Sequence, residues 1–459
     1  MFLIQKTIIA FMTARKTKEM NMLEGTLGDK ILKFAIPLAL ASILQQLFNS
    51  ADLAVIGRFD SSASMAAVGS NAPVISLLIS LFIGLATGAN VVIASLIGKG
   101  QKEKISEAVH TEYLLALLCG FLLIGIGIPS SHGILLLMGA PEEVMHKAIL
   151  YLRIYFLGMP FFMVYNFASA VLRARGDSER PLIALVISGI VNVVLNLFFV
   201  IVMDLSVAGV AIATDISNGI SAAYMTLCLL KEEAPYRLSF HKLRIRKEYL
   251  KQTMEIGLPA GLQGVVFSLS NVVIQAAINS FGSAAIAGAS AASTFETMCY
   301  YVVNAFAQTA VTFTSQNYAA GRYERCKEVY RKTMLYGTLI TFTLSLVFWF
   351  SRSFILSFFT NDPEVLHYAC IRLLLVGTLE IGTGLYEISG GCLRGMGHSM
   401  TPAILTIIGS CVFRLIYVNT VFVWHRSFVT LFLVYPISWV ITGSMVLYAY
   451  FSTRKLLLG

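Results

Sequence analysis

Leu172-Arg-Ala-Arg-Gly176-Asp-Ser-Glu-Arg-Pro181 recurs as Leu393-Arg-Gly-Met-Gly397-His-Ser-Met-Thr-Pro402. Leu, Arg, Gly, Ser and Pro match between the two stretches, all at an offset of 221 residues. Outward from this pair, Arg153 and Gly158 match Arg372 and Gly377. Gly100 with its basic neighbours matches Gly321 with its own, Pro37 matches Pro259, and Asn49 matches Asn271. The chain therefore reads as an internal duplication with one copy in each half.

Composition says what kind of unit is duplicated. Of 459 residues, 57% are hydrophobic and only 13% are charged, where a soluble domain carries about 25% charged residues. A water-facing surface cannot be covered with so little charge. Soluble enzymes, secreted disulfide scaffolds and disordered chains are excluded. The apolar residues come in long runs rather than short alternating segments, which excludes a membrane β-barrel. The seven cysteines show no C-x-x-C spacing and mostly lie in apolar runs, so they read as small buried apolar residues rather than a zinc site or disulfides. The net charge of +9 is assigned to basic loops on one membrane face, not to a nucleic-acid partner.

Twelve segments are long and apolar enough to cross a bilayer: 31–57, 72–97, 108–128, 148–172, 182–203, 205–230, 252–280, 284–318, 334–359, 366–393, 402–424 and 427–452. With the first tail placed inside, the inside loops hold 26 Lys and Arg, and the outside loops hold Arg58, Lys147, Arg352 and Arg426. A missed span would swap the sides of every later loop, so this bias fixes an even span number with both termini cytoplasmic. The expected fold is an all-α membrane protein of twelve transmembrane helices in two pseudo-symmetric six-helix bundles. The expected division is an N-terminal cytoplasmic tail over 1–24, an N-lobe over 25–230, a cytoplasmic linker over 231–251 and a C-lobe over 252–459. The run Met1–Met12 is too short to span, and an interfacial stub or a start at Met20 or Met22 fits it better than a signal peptide.

Six spans per half give a parallel repeat about an axis along the membrane normal, an arrangement that commonly carries substrate between its lobes by rocking one bundle against the other. Pro37 and Pro259 lie inside spans, where each removes a backbone hydrogen bond and invites a kink; they are the expected hinges. Gly84, Gly88, Gly120, Gly125 and Gly127 recur at spacings that let helices approach closely.

Charge inside a membrane is costly and marks function. Asp52 lies roughly 8 Å inside the outer end of the first span. Asn192 and Asn196 are four residues apart and face the same way, as do Thr214 and Asn218, with Asp215 beside Thr214. One or two carboxylates with amide and hydroxyl oxygens suit a hard cation such as Na⁺, or a proton relay. In the second half, Glu296, Glu380 and Arg414 share a similar depth, with Glu387 two turns from Glu380 toward the inside. A buried Arg needs a carboxylate, so Arg414 is expected to pair with Glu380 or Glu296, leaving at least one acid free to face the cavity. Arg153 and Arg372 read as snorkelling anchors near the outer ends of equivalent helices. There is no H-E-x-x-H and no G-x-x-x-x-G-K-[ST], so neither zinc proteolysis nor ATP hydrolysis is encoded by those routes. The chain is read as a non-enzyme that draws on an ion gradient or transports passively.

Three features together resemble a known family, the multidrug and toxic compound extrusion (MATE) transporters. They are Pro37 to Gly57 with Asp52 in an A-D-x-x-x-x-G setting, Gln316-Asn-Tyr-Ala-Ala-Gly321 before a basic loop, and the paired Leu-Arg-x-x-Gly…Pro elements. Phe295-Glu296 and the Gln-Asn-x-x-Ala-Gly stretch look most like the bacterial DNA-damage-inducible branch. The resemblance covers essentially 25–459. It implies a V-shaped pair of lobes and alternating access in the cell membrane. It also implies export of cationic, lipophilic small-molecule drugs in exchange for H⁺ or Na⁺, with no other cofactor and a monomer as the working unit. In that branch the cation site uses an Asp, an Asn and an Asp one turn apart, and a Thr; these positions read Asp52, Asn192, Asn196 and Thr214. Asn196 stands where the branch commonly has Asp, and Asp215 is the residue available to replace the lost carboxylate. The alternative is a flippase for a lipid-linked precursor of related fold, which would be expected to carry an Arg- and Lys-rich cavity.

Overall fold

The computed structural model describes residues 20–137, 142–357 and 359–458. Of the tail expected over 1–24, residues 1–19 lie outside the described residues. No strand occurs among the described residues. The first half runs α1 (Leu27–Phe59), α2 (Ser62–Ser70), α3 (Ala72–Gly98), α4 (Lys102–Leu137), α5 (Glu142–Leu157), α6 (Met159–Arg175), α7 (Glu179–Leu197) and α8 (Ser206–Leu230). The second half runs α9 (Lys247–Asn279), α10 (Ser283–Ala319), α11 (Tyr323–Phe350), α12 (Arg352–Ser357), α13 (Pro363–Arg372), α14 (Thr383–Gly395), α15 (Met400–Thr406), α16 (Phe413–Asn419), α17 (Val421–Trp424) and α18 (Phe428–Leu458).

Among the described residues, nine helical stretches are long and apolar enough to cross a membrane, and the bent pair α5–α6 makes a tenth. Helices α8 and α10, of 25 and 37 residues, are long enough but poorer in large apolar side chains. Their Ala, Ser, Thr and Gly let neighbours close around them, and most of α10 from Val302 to Asn317 is buried. With these two, the twelve-helix layout expected from the sequence is complete.

Four expected spans are not simple helices. The segment 148–172 is broken at Gly158, where α5 and α6 meet at 46°. The corresponding stretch of the second half is interrupted by a π turn at Leu373–Gly377 and a 3₁₀ turn at Glu380–Gly382. Further π turns lie at Phe198–Val202, extending α7, and at Ile407–Val412, joining α15 to α16. Such turns interrupt the regular backbone ladder and often mark functional places.

The repeated Leu-Arg-x-x-Gly element folds the same way twice. Gly176 and Gly397 take φ of +101° and +91°, which glycine adopts without steric cost. Each closes its helix with the same two bonds: Gly176 N–H to Arg173 O and Asp177 N–H to Leu172 O, Gly397 N–H to Arg394 O and His398 N–H to Leu393 O, all 2.9 Å. This pattern satisfies the last carbonyls of a helix. Asp177 then starts α7, its carboxylate accepting from the N–H groups of Glu179 and Arg180.

The halves meet along α3 and α9. A Cβ built on Gly84 would lie 2.2 Å from Gly261 N, and one on Gly88 2.4 Å from Thr253 O, so backbones touch where side chains would stand. The apolar core forms two main clusters. One draws on Val55 to Ile256 together with Val311. The other joins Met22 to Ala39 with Ile274 to Tyr450. Helix α1 therefore starts in the core of the second half and ends in that of the first, running unbroken through Pro37.

Candidate functional site

A cavity of about 740 Å³ lies between the halves, with walls from α1, α3, α5 to α10 and α14. Asn49, Ser50 and Ala72 line it and are exposed, whereas Thr87, Ser169, Gln263 and Arg394 line it and are buried. It therefore has a mouth away from the basic loops and a closed floor toward them. Below the floor the halves are bonded together. Thr312 donates to Asn90 at 2.9 Å, Ser315 to the Val91 carbonyl at 2.9 Å, and Gln316 to the Ala174 carbonyl at 2.6 Å. The two sequence motifs thus meet, Gln316 of one on Ala174 of the other. Met20–Glu24, assigned to the tail, packs into this seal. Met22 is fully buried, and its carbonyl accepts from Asn317 and Arg325.

Asp52 sits in the wall of the cavity, only 7% exposed. Its position follows from α1, which carries it outward past Pro37 to face α7 and α8. Asn196 donates to one carboxylate oxygen, and the Thr214 hydroxyl donates to the other at 3.4 Å. The Asn196 amide also reaches Asn192 Oδ1 at 3.2 Å, and Asn192 reaches Thr214 at 3.5 Å. The structure thus brings Asp52, Asn192, Asn196 and Thr214 into one hydrogen-bonded cluster. Asp52 has no ion-pair partner among the described residues. Asn196 Oδ1 is buried without a partner, so an oxygen is free beside the carboxylate. No group of three or more His, Cys, Asp and Glu suited to a metal occurs among the described residues; the oxygen donors here are one carboxylate, two amides and a hydroxyl.

Asp215 is not bonded into this cluster. It lies against Gly158 at the α5–α6 bend, where a Cβ would meet its Oδ1 at 1.9 Å. The turn of about 100° between neighbours on a helix separates it from Thr214. Tyr151 and Tyr155, stacked at 6.2 Å, are electrostatic neighbours of both Asp52 and Asp215. These tyrosines line the cavity and were not singled out from the sequence.

The second half corrects the expected pairing. Arg414 donates to Ser438 at 3.1 Å and Asn271 at 3.5 Å, and is sandwiched between the rings of Phe267 and Tyr435. Aromatic faces and neutral oxygens, rather than a carboxylate at bonding distance, accommodate this cation. Glu296 instead takes Arg372 in a two-pronged bond of 2.9 and 3.2 Å. Arg372 is thus a buried ion-pair partner rather than a snorkelling anchor. Glu380 is buried beside Arg414 and Arg372, with one oxygen unpartnered. Of Glu296, Glu380, Glu387 and Arg414, only Glu387 lines the cavity, where the Tyr300 hydroxyl bonds to it. The other three lie behind the wall.

Arg173 and Arg394 also line the cavity, although the sequence places them with the inside loops. They stand in the last turns of α6 and α14, and helical side chains lean back toward the N-terminus, here into the molecule.

The family profile described as MatE matches residues 37–198 and, a second time, 259–419. The chain belongs to the MatE family. The two matches begin at Pro37 and Pro259 and so restate the repeat. The probable multidrug resistance protein YoeA of Bacillus subtilis is 28% identical over 383 residues, covering 82% of each chain. The probable multidrug resistance protein NorM of Thermotoga maritima is 24% identical over 390 residues, covering 84% of each. The structure of an outward-facing multidrug resistance MATE family transporter superposes with a TM-score of 0.89 at 21% identity, covering 96% of this chain and 99% of that one. As a MATE protein, the chain is a multi-pass membrane transporter and not an enzyme.

Proposed function

We propose that this MATE protein is a secondary active multidrug exporter that extrudes cationic lipophilic compounds in exchange for H⁺ or Na⁺. The observation that carries this reading is Asp52, buried without a counter-charge in the wall of a cavity large enough for a drug-sized molecule. A carboxylate in that setting is satisfied by an incoming cation. A proton would go to Asp52 itself; Na⁺ would be held by Asp52 with oxygens of Asn192, Asn196 and Thr214. Cargo cations in the cavity would compete for the same acid and for Glu387, so ion and cargo exclude one another. Asp215, close by at the α5–α6 bend, is available to stabilise the helices as charge enters or leaves.

The lobes 25–230 and 252–459 would rock about the α3–α9 seam, with Pro37 and Pro259 as hinges and 231–251 as the linker. The excess of basic residues in the loops at the sealed end supports a cytoplasmic position for that end and for both termini, and with it an outward-facing state in the cell membrane. A monomer holds every element invoked. The DNA-damage-inducible branch rests on Phe295-Glu296 and Gln316–Gly321.

A flippase for a lipid-linked precursor draws on Arg173 and Arg394 in the cavity. Asp52 and Glu387 in the same walls weigh against a polyanionic cargo.

The test is Asp52→Asn in whole-cell efflux of a fluorescent cation, with membrane abundance measured alongside. The variant is expected to reach the membrane and lose efflux. Wild-type efflux from that variant would remove Asp52 from the mechanism.

A further inference from the structure

The floor of the cavity carries cationic groups that the exchange of cations does not use. Arg173 lines it with Nε buried and unpartnered, and makes no hydrogen bond or ion pair among the described residues; Tyr165 is its electrostatic neighbour. The nearby acids are engaged elsewhere: Glu232 holds Arg175 and Arg180, and Asp177 holds Arg180. The repeat makes the imbalance plain. Arg394, its equivalent, has Glu387 two turns before it on the same helix as an electrostatic neighbour, and donates to Gln263 at 2.6 Å. The residue equivalent to Glu387 at the 221-residue offset is Asn166, which is neutral and donates to the Phe162 carbonyl. Duplication therefore left one arginine with an acid and the other without. Arg173 is half-buried, so its guanidinium reaches the cavity without an acid beside it and is a strong two-pronged donor to oxyanions.

Resting on the exporter reading, we propose that Arg173 recognises an oxyanion, carboxylate or phosphate, carried by an amphiphilic cargo. Compounds bearing an anionic group toward the floor and a cationic or neutral body toward Asp52 then belong to the transported set. Cargo orientation follows from the charge layout: the anionic end lies against α6 at the cytoplasmic floor, and the remainder, toward the mouth, leaves first.

The test uses the full chain in lipid nanodiscs and two fluorescent probes that differ only at one group: rhodamine 110, with a free carboxylate, and its methyl ester, rhodamine 123. Binding is read by fluorescence anisotropy. Arg173→Gln is expected to weaken the free acid about tenfold more than the ester, and Arg173→Lys to recover part of that ratio. Asn166→Glu keeps the arginine but supplies the internal acid that the second half has, and is expected to lower the same ratio. Dodecyl phosphate is expected to displace the free acid, and inorganic phosphate at equal concentration is not. Equal changes for both probes in both Arg173→Gln and Asn166→Glu would overturn the site. Equal displacement by inorganic phosphate would overturn its assignment to an amphiphile. Gradient-driven uptake of the ester into proteoliposomes separates the two readings: its absence counts against the exporter, while the binding ratio still decides the floor.

Discussion

Glu296 and Arg372 show how this membrane interior handles charge. Each is on a different helix, each is largely buried, and each satisfies the other. Glu296→Gln would take from the buried Arg372 its bonded carboxylate and leave Glu380 as the nearby acid, a loss of up to about 3–5 kcal/mol, whereas replacing both Glu296 and Arg372 by Leu and Met is expected to recover most of it. Thermal unfolding of the purified variants checks this; equal melting of wild type and Glu296→Gln would show that the pair contributes nothing. The polar cluster of the first half was legible in the sequence because helical spacing puts Asn192 and Asn196 on one face, depth puts Asp52 at a similar level, and the family resemblance groups these three with Thr214. The pairing in the second half was not legible. Similar depth brought Glu296, Glu380 and Arg414 together on paper, but which helix faces which is set by tertiary packing, and the rings of Phe267 and Tyr435 carry no charge to announce themselves. Arg173 and Arg394 were assigned to loops because they end apolar runs; the backward lean of helical side chains takes them inward.

Helix α3 makes its seam with α9 through glycines. Gly84→Leu must push the helices apart, since its Cβ would stand 2.2 Å from backbone. Gly125→Leu meets nothing within 4 Å of its Cβ. The first is expected to lower the melting temperature, in the range of about 1–3 kcal/mol or more for overpacking, and the second to leave it nearly unchanged. Equal effects would show that the seam is not tightly fitted. Spacing alone grouped Gly84 with Gly125, because the sequence reports helical pattern but not what lies across from it. The duplicated caps at Gly176 and Gly397 were legible as a repeat, and their identical bonding explains why Leu, Arg and Gly recur together. Pro37 leaves α1 continuous, yet that helix passes from one core cluster to the other just beyond it, so a bend there would shift Asp52 relative to the seal.

The whole molecule is a vessel closed at one end. Asn90, Gln316 and the Met20–Glu24 segment with its buried Met22 bond the floor, and the exposed residues of the cavity lie at the other end. Twelve helices and the repeat followed from composition and periodicity, because bilayer thickness and loop charge are strong constraints. Which end is closed could not, since both states share one sequence. A single cysteine at Ser76, exposed in the cavity wall, is expected in a cysteine-free background to react with a membrane-impermeant thiol reagent from the side opposite the basic loops. Reaction from the basic side alone would reverse the assignment.

The most direct measurement is transport of a fluorescent lipophilic cation in proteoliposomes holding the full chain, with a proton gradient and a Na⁺ gradient imposed one at a time. Cation movement against its own gradient is expected when one of these is applied, and none with Asp52→Asn. Movement that ignores both gradients, or that persists unchanged in Asp52→Asn, would contradict the exchange of an ion for cargo at this carboxylate.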